Sequence, residues 1–326
     1  MQELSAIISP IESELNSFRQ LFESSLESSN PLLSEALLHI KQKKGKMMRP
    51  ILVLLISRLY GCISNETFHA AVSLELLHTA SLVHDDVVDE SNERRGQPSV
   101  NALYNNKVSV LVGDFLLATS LVQVGQTNNS RIIEVVAKLG QDLSEGELLQ
   151  LANIDTSDFS IDRYFTIIKK KTAALFSACT EAAILSTGID DEEQIEEARL
   201  FGEYLGTCFQ IKDDLFDYFD SDNLGKPTGL DMLEGKLTLP VLYVINNGEK
   251  SEWSRGVALK VKSGDASDKE VQELIDFTIE HGGIDYAKEI MMEYHKKALA
   301  LIDHLPNNDV KCALISYLNY IVNRNK

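Results

Sequence analysis

An all-α fold is predicted by three features of this 326-residue chain. Its 7 prolines, at positions 10, 31, 50, 98, 227, 240 and 306, leave long stretches free of helix breakers. Apolar residues recur at helical spacing through most of the sequence, and neither half is rich in strand pattern. With 44% hydrophobic residues and nothing that divides the chain, one helical domain over residues 1–326 is expected.

The periodicity places helices over 3–27, 31–43, 48–60, 65–90, 107–126, 130–152, 161–186, 191–220, 236–247, 268–281, 284–304 and 308–323. Gly61, Pro98, the Asn128-Asn129 pair, Gly188, the segment 222–236 and Pro306 mark the turns between them. Val108 to Val124 is apolar on nearly all sides, interrupted by Gly113 and Asp114. Such a helix is expected inside the bundle or in a subunit interface, which makes a homodimer the expected assembly.

Charge narrows the function. The 31 basic against 49 acidic residues give a net charge of -18, which excludes a general nucleic-acid or anionic-membrane binder. Cys62, Cys179, Cys208 and Cys312 have no metal-binding spacing, and a chain of this size needs no disulfides, so reduced thiols and a cytoplasmic location are expected. No apolar leader and no span of about 18 apolar residues are read from the sequence, so no stable membrane insertion is expected.

The chemistry is carried by two acidic motifs. His84-Asp85-Asp86-Val87-Val88-Asp89 is followed by Arg94-Arg95-Gly96, and Gln210-Ile211-Lys212-Asp213-Asp214-Leu215-Phe216-Asp217 is followed by Lys226. Helical residues four apart share a face, so Asp85 with Asp89 and Asp213 with Asp217 form ionised carboxylate pairs. At roughly 5 Å and an effective dielectric near 20, each pair repels by about 3 kcal/mol, which a cation must offset. All-oxygen donors without interleaved His or Cys suit Mg²⁺, bound through one or two carboxylates plus substrate phosphates. On a helical wheel centred on Asp85, His78 falls at about +20°, Asp89 at about +40° and Ser81 at about -40°, a stripe expected to face one cavity. An acidic C-terminal end opposes the helix dipole, so a merely solvated terminus is a poor account of it.

Cations accompany both motifs. Lys46 and Arg49 sit where a helix begins, beside free backbone N–H groups; as part of a run with Lys41, Lys43 and Lys44 they also read as a solvated basic turn. Arg94 and Arg95 suit bidentate phosphate contacts. Lys169-Lys170-Lys171-Thr172 offers one inward lysine and a hydroxyl, and Gln210 joins the second acidic face. Gly225-Lys226 and Gly235-Lys236 flank a polar loop able to close over a charged substrate. Asp220 to Asp231 imitates a calcium loop, but Leu224 replaces an oxygen ligand and Asp231 stands where Glu is needed. No nucleotide-type glycine loop is present.

These residues resemble the trans-polyprenyl diphosphate synthases over nearly the full chain. The resemblance rests on Gly45-Lys46-x-x-Arg49-Pro50, the run Leu77 to Glu90, Arg94-Arg95-Gly96, Lys171-Thr172, Phe209 to Asp217 and Gly225-Lys226, all in family order, with Ala173 after Lys171-Thr172. The first motif lacks the two-residue insertion of bacterial farnesyl synthases and looks like that of the long-chain, octaprenyl- or solanesyl-type members that make quinone side chains. The resemblance implies a helical bundle around a deep central cavity, a homodimer, and about three Mg²⁺ ions per active site. It implies that Asp85 and Asp89 bind metal from one side and Asp213 from the other, with Asp217 and Asp214 less direct. It implies that Arg94, Lys171, Thr172, Gln210 and Lys226 hold an allylic diphosphate, that Lys46, Arg49, His78 and Arg95 hold isopentenyl diphosphate, and that Lys236 also binds substrate. The product would be a long-chain all-trans polyprenyl diphosphate made from a farnesyl or geranylgeranyl primer. Leu77, Ala80 and Ser81, at about -80°, -140° and -40° on the wheel, with Ser73 beyond at about -120°, would flank the groove that sets its length. A short-chain synthase, a class I terpene cyclase and a non-catalytic subunit of a heteromeric synthase are the alternatives; the last two fit poorly with two intact Asp motifs.

Overall fold

The computed structural model describes residues 2–42, 45–94, 96–154, 156–219, 228–247 and 251–324. The helices are α1 (Gln2–Ile8), α2 (Glu12–Ser25), α3 (Pro31–Gln42), α4 (Met48–Tyr60), α5 (Asn65–Val88), α6 (Val100–Leu103), α7 (Asn106–Gly125), α8 (Ser130–Ile154) and α9 (Ile161–Ile168). Then follow α10 (Ala174–Leu185), α11 (Glu192–Phe216), α12 (Leu230–Leu233), α13 (Leu239–Asn247), α14 (Ser251–Ser263), α15 (Asp268–Glu280), α16 (Gly283–Ile302) and α17 (Asp309–Asn323). Among the described residues the one sheet is a two-stranded antiparallel ribbon, β1 (Glu93–Arg94) and β2 (Gln97–Pro98), in which Glu93 faces Pro98 and Arg94 faces Gln97. The all-α expectation is met.

Four local departures have physical causes. The stretch expected as one helix over 3–27 is interrupted by a 3₁₀ turn at Ser9–Ile11, where Pro10 cannot donate to the helical ladder. The stretch expected over 161–186 contains a π turn at Lys169–Ala173. The helix expected to reach 220 ends at Phe216, and the one expected from 236 starts at Leu239, next to Pro240. α14 was not expected at all. Its buried stripe, Ser254, Val257, Ala258, Val261 and Lys262, has helical spacing, but it is partly polar and Gly256 interrupts the pattern.

The chain forms two compact units. The first comprises Met1–Gly140, Leu175–Gly202 and His304–Tyr317. Its core is built on α4, whose Ile51, Leu52, Leu54 and Leu55 are fully buried, with Val72 and Leu76 of α5, Leu116 of α7 and Phe176 of α10. Each such side chain contributes about 1.5–3 kcal/mol on burial. α5 is started by a capping box, in which Ser64 and Thr67 satisfy each other's backbone N–H. α5 and α7 are locked by reciprocal hydrogen bonds: Ser73 Oγ donates to the Ser120 carbonyl (3.0 Å) and Ser120 Oγ to the Ser73 carbonyl (2.8 Å). Near the far end of α5, Gly113 leaves room for His84, since a Cβ there would lie 2.2 Å from the ring Nε2.

α7 is buried along one side and exposed along the other. Ser109, Val112, Gly113, Leu116, Ser120 and Val124 are buried, but Val110, Leu111, Leu117, Leu121 and Val122 are exposed. Against the expectation of no such span, Asn106–Gly125 is long and apolar enough, by length and composition, to cross a membrane. The isolated charges at Lys107 and Asp114 had hidden this in the sequence.

The second unit comprises Gln141–Ala174, Glu203–Asp303 and Leu318–Lys326. Gly283 brings α16 against α13, because a Cβ there would lie 2.5 Å from the Pro240 carbonyl oxygen. Tyr243 and Tyr286 stack at 4.1 Å between the same helices. Lys262 of α14 donates to the carbonyls of Asn153 (2.8 Å), Thr156 (2.9 Å) and Asp158 (2.8 Å). It thereby caps the C-terminal end of α8 and anchors the connection to α9. The four cysteines are free thiols, Cys62 and Cys312 exposed and Cys179 and Cys208 buried.

Candidate active site

In the first unit, α5 carries the first motif to its last turn. The Asp89 amide donates to the Asp85 carbonyl (2.8 Å), so the helical ladder reaches Asp89 and both carboxylates lie on one side. Asp85 is half-buried and Asp89 exposed. Between them Asp86 points inward. It is buried and accepts from Arg94 Nε at 2.6 Å, while Asn101 Nδ2 donates to its backbone carbonyl (3.1 Å). This ion pair ties the β1–β2 ribbon to the end of α5, and it gives Arg94 a carboxylate partner that the sequence did not suggest.

A cavity of about 470 Å³ lies beside this motif. Its α5 wall is Glu75, His78, Thr79, Leu82, Val83 and Asp86, facing Arg19, Phe22, Lys41, Met47 and Arg94. The lining stripe is therefore turned from the expected one. His78 lines the cavity as predicted, but Ser81, Asp85 and Asp89 are not among its lining residues: the lining face spreads from His78 to the Asp86 side, away from Ser81 and Asp85, and Asp89 lies past the last residue of α5. Ala80 and Leu77 are buried, and Leu77 Cδ1 lies 3.8 Å from where a Gly140 Cβ would be. Ser81 is half-buried and donates to the His78 carbonyl (2.9 Å). Ser73, the deepest groove position, is a helix contact: its hydroxyl meets Ser120 Oγ at 2.9 Å.

At the start of α4 the backbone enters through Met47, a non-glycine residue at φ 51°. Lys46 before it is exposed, and Gly45 and Met47 on either side line the cavity. Arg49 projects from the first turn with its guanidinium 5.6 Å from the Phe176 ring centroid, and its buried Nε has no hydrogen-bond partner. Arg95, expected in the same set, lies outside the described residues, as do Gly225 and Lys226.

In the second unit, the three lysines of the π turn are each held by acids. Lys169 pairs with Glu203 (2.8 Å), Lys170 with Asp142 and Glu145 (both 2.7 Å), and Lys171 with Glu147 (2.5 Å). Gly146 permits this approach of α8. π turns are rare and recur at functional sites, and this one aims Lys171 and Thr172 at a cavity of about 170 Å³. Gln150, Tyr164, Gln210, Asp214, Asp231 and Lys236 also line it. Lys236 follows Gly235, which holds φ +78°, and pairs with Glu234 at 2.6 Å.

The second acidic motif does not present one uniform face. Asp213 accepts from Arg324 (2.5 Å), whose guanidinium lies 4.0 Å from the Phe209 ring centroid. Asp214 is buried, and burial with the nearby Asp231 charge raises its carboxyl to about 8. Asp217 accepts from the amides of Leu230 (2.9 Å) and Asp231 (3.1 Å), so its carboxylate caps α12. Burial raises Asp217 despite those donors, and it also raises Asp231, helped by Asp217, to about 6. The structure brings Gln210 and Thr172 together: Thr172 Oγ1 donates to Gln210 Oε1 at 2.6 Å. Sequence reasoning passed over Asp86, Tyr164, Glu147 and Asp231. Asp86 sat inside a recognised motif, and Asp231 was visible only as the last position of the rejected calcium loop.

Among the described residues no group of three His, Cys, Asp or Glu side chains converges as a metal cage. Paired carboxylates fit a hard divalent cation that takes its remaining ligands from water and phosphate. An all-α protein with two acidic helix ends, each accompanied by cations, is built for diphosphate chemistry. The family follows from comparison: the polyprenyl synthetase model matches residues 30–277, and the chain belongs to that family of trans-prenyltransferases. It is 36% identical over 301 residues to an octaprenyl diphosphate synthase of Haemophilus influenzae, covering 92% of this chain and 91% of that one. A crystal structure described as geranylgeranyl pyrophosphate synthase from Bacteroides thetaiotaomicron is similar at a TM-score of 0.88 and 54% identity, covering 99% of this chain and 100% of that one. A polyprenyl synthase from Caulobacter crescentus, complexed with calcium and isoprenyl diphosphate, is similar at 0.90 and 31%, covering 99% and 98%.

Proposed function

We propose that this enzyme condenses isopentenyl diphosphate head-to-tail onto an allylic diphosphate with Mg²⁺, and extends the product beyond geranylgeranyl length. The observation that carries the reading is that each acidic motif has cations of its own: Arg94 pairs with Asp86 and Arg324 with Asp213, and Lys171 and Lys236 line the same cavity as Gln210 and Asp214. Asp85 and Asp89 in the first unit and Asp213 in the second are the carboxylates assigned to metal, with Asp217 supporting through α12. When bound, the metal supplies Lewis-acid stabilisation of charge on the departing diphosphate.

The chain's own residues do the rest. Lys171, Thr172, Gln210 and Lys236, with Arg94 and Lys226, bind and orient the allylic diphosphate. Lys46, Arg49, His78 and Arg95 bind the diphosphate of isopentenyl diphosphate, and the buried, unpaired Nε of Arg49 is a donor suited to it. The allylic C–O bond breaks, the isopentenyl double bond attacks the resulting cation, and a proton passes to the released diphosphate. Apolar walls exclude the water that would capture the cation.

Extended product length is supported by the lack of any Phe, Tyr or Trp from 73 to 81 and by the octaprenyl relative. The 54%-identical structure described as a geranylgeranyl synthase favours a second reading, in which growth stops at four isoprene units. The exposed face of α7 is assigned to a homodimer, because its opposite side is already committed to α5. Purified protein with farnesyl diphosphate and labelled isopentenyl diphosphate should incorporate label with Mg²⁺ and stop with a chelator. Incorporation that is absent, or indifferent to the chelator, would remove the reading.

A further inference from the structure

The second unit contains a continuous hydrogen-bond chain that starts on a buried aromatic residue and ends on a hydroxyl at the cavity. Tyr164 Oη donates to Asp214 Oδ2 at 2.6 Å, and the other oxygen of that carboxylate accepts from Gln210 Nε2 at 2.8 Å. Gln210 Oε1 in turn accepts from Thr172 Oγ1 at 2.6 Å. The chain runs from α9 to α11 and back to the π turn, and all four residues line the same cavity. From this connectivity we infer that Tyr164 is a positioning residue for the allylic diphosphate, acting through Asp214 and Gln210 on Thr172.

The physical reason lies in donor and acceptor direction. An amide can turn over, exchanging its oxygen and nitrogen, unless its neighbours fix it. Here both Asp214 oxygens accept, Oδ2 from Tyr164 Oη and Oδ1 from Gln210 Nε2, so the Gln210 NH₂ faces Asp214 and the Gln210 oxygen faces Thr172. That orientation takes up the one hydroxyl proton of Thr172 and leaves its lone pairs to accept from a water, ammonium or cation that in turn meets the diphosphate. Tyr164 keeps Asp214 in place from the opposite side. Its ring is buried and packs edge-on to Phe165 at 5.2 Å, which in turn rests against Tyr294 at 5.9 Å, so the phenol has no freedom to follow a displaced carboxylate. Without the phenol oxygen, Asp214 Oδ2 loses its donor in a dry site and the carboxylate rotates towards whatever donor remains, taking the Gln210 amide with it.

The inference rests on the proposed role of Thr172 and Gln210 at the allylic diphosphate, and the test separates the two. Tyr164→Phe, Thr172→Ala and their double variant are compared by steady-state kinetics with each substrate varied in turn. Tyr164→Phe is expected to raise the allylic KM about 5–20-fold and to leave the isopentenyl KM within about twofold. The double variant should be no worse than about twice the poorer single variant, because both act on one chain of contacts. Asp214→Asn supplies a second readout if Tyr164→Phe is poorly soluble: its NH₂ would force the Gln210 amide over, and the same allylic-selective rise is expected. Thr172→Ala without any change in allylic KM would overturn the site assignment, and this inference with it. If Thr172→Ala raises the allylic KM while Tyr164→Phe affects both substrates equally, or multiplies independently with Thr172→Ala, only the positioning role is overturned, and Tyr164 is a packing residue.

Discussion

Gly146→Ala is a one-carbon perturbation whose sign is decided by two opposing magnitudes. A Cβ on Gly146 would lie 2.8 Å from Lys171 N, 3.0 Å from Lys170 Cβ and 3.1 Å from Lys170 C. Two of these atoms are backbone, so no side-chain rotation relieves the clash, and α8 must separate from the π turn by about half an ångström to reach ordinary contact distances. Replacing a helical glycine by alanine gains about 1 kcal/mol in propensity, whereas overpacking costs about 1–3 kcal/mol, so net stability changes little or falls. The functional cost is larger. A misplacement of about 1 Å costs on the order of 100-fold in rate, so half of that displacement at Lys171 and Thr172 should cost about 10-fold in kcat/KM for the allylic substrate. Gly256→Ala is the control, since α14 leaves nothing within 4 Å of a Cβ there, and it should gain stability with unchanged kinetics. Thermal unfolding and kinetics on both variants decide the matter. A Gly146→Ala enzyme that is stabilised like Gly256→Ala and retains wild-type kcat/KM would refute the claim that α8 sets the position of the π turn.

Two further outcomes are expected. Ala80→Tyr fills a buried position on α5, and because one helical turn rises about 5.4 Å, close to one isoprene unit, products should shorten towards farnesyl or geranylgeranyl diphosphate; a soluble, active variant with unchanged chain length on chromatography would show that Ala80 is only a packing residue. The metal-free protein should lose stability as pH rises from about 4 to about 8: Asp231, raised to about 6, and Asp214, raised to about 8, bind protons in the folded state that the unfolded chain has already released. Each such group costs up to about 1.4 kcal/mol per pH unit while it remains protonated only in the folded state. Asp214→Asn should flatten this decline in unfolding temperature, and an equal decline in both proteins would show that Asp214 does not carry it.

The sequence was most legible where periodicity and side-chain type agreed. α4, α5, α8 and α17 lie where apolar spacing placed them, and the carboxylates of Asp85 and Asp89 share a side for the reason their spacing implied. It was least legible where a helix buries polar groups, as α14 does with Ser254 and Lys262, and where backbone hydrogen bonding changes register without a change of residue type, as at Lys169–Ala173. In the candidate site, one spacing rule treated Asp213, Asp214 and Asp217 alike. Tertiary partners distinguish them: Arg324 takes Asp213, Tyr164 takes Asp214, and the amides of α12 take Asp217. No local pattern announces a partner more than 100 residues away, such as Arg324, or shows that Asp86 rather than Asp85 turns into the cavity.

The two-motif mechanism is tested most directly by assaying purified Asp85→Ala and Asp213→Ala at saturating Mg²⁺, with helical content checked by circular dichroism. Carboxylates that act on the transition state through metal are expected to cost orders of magnitude in turnover when removed, with the fold intact. Near-wild-type incorporation of labelled isopentenyl diphosphate by either folded variant would contradict the account.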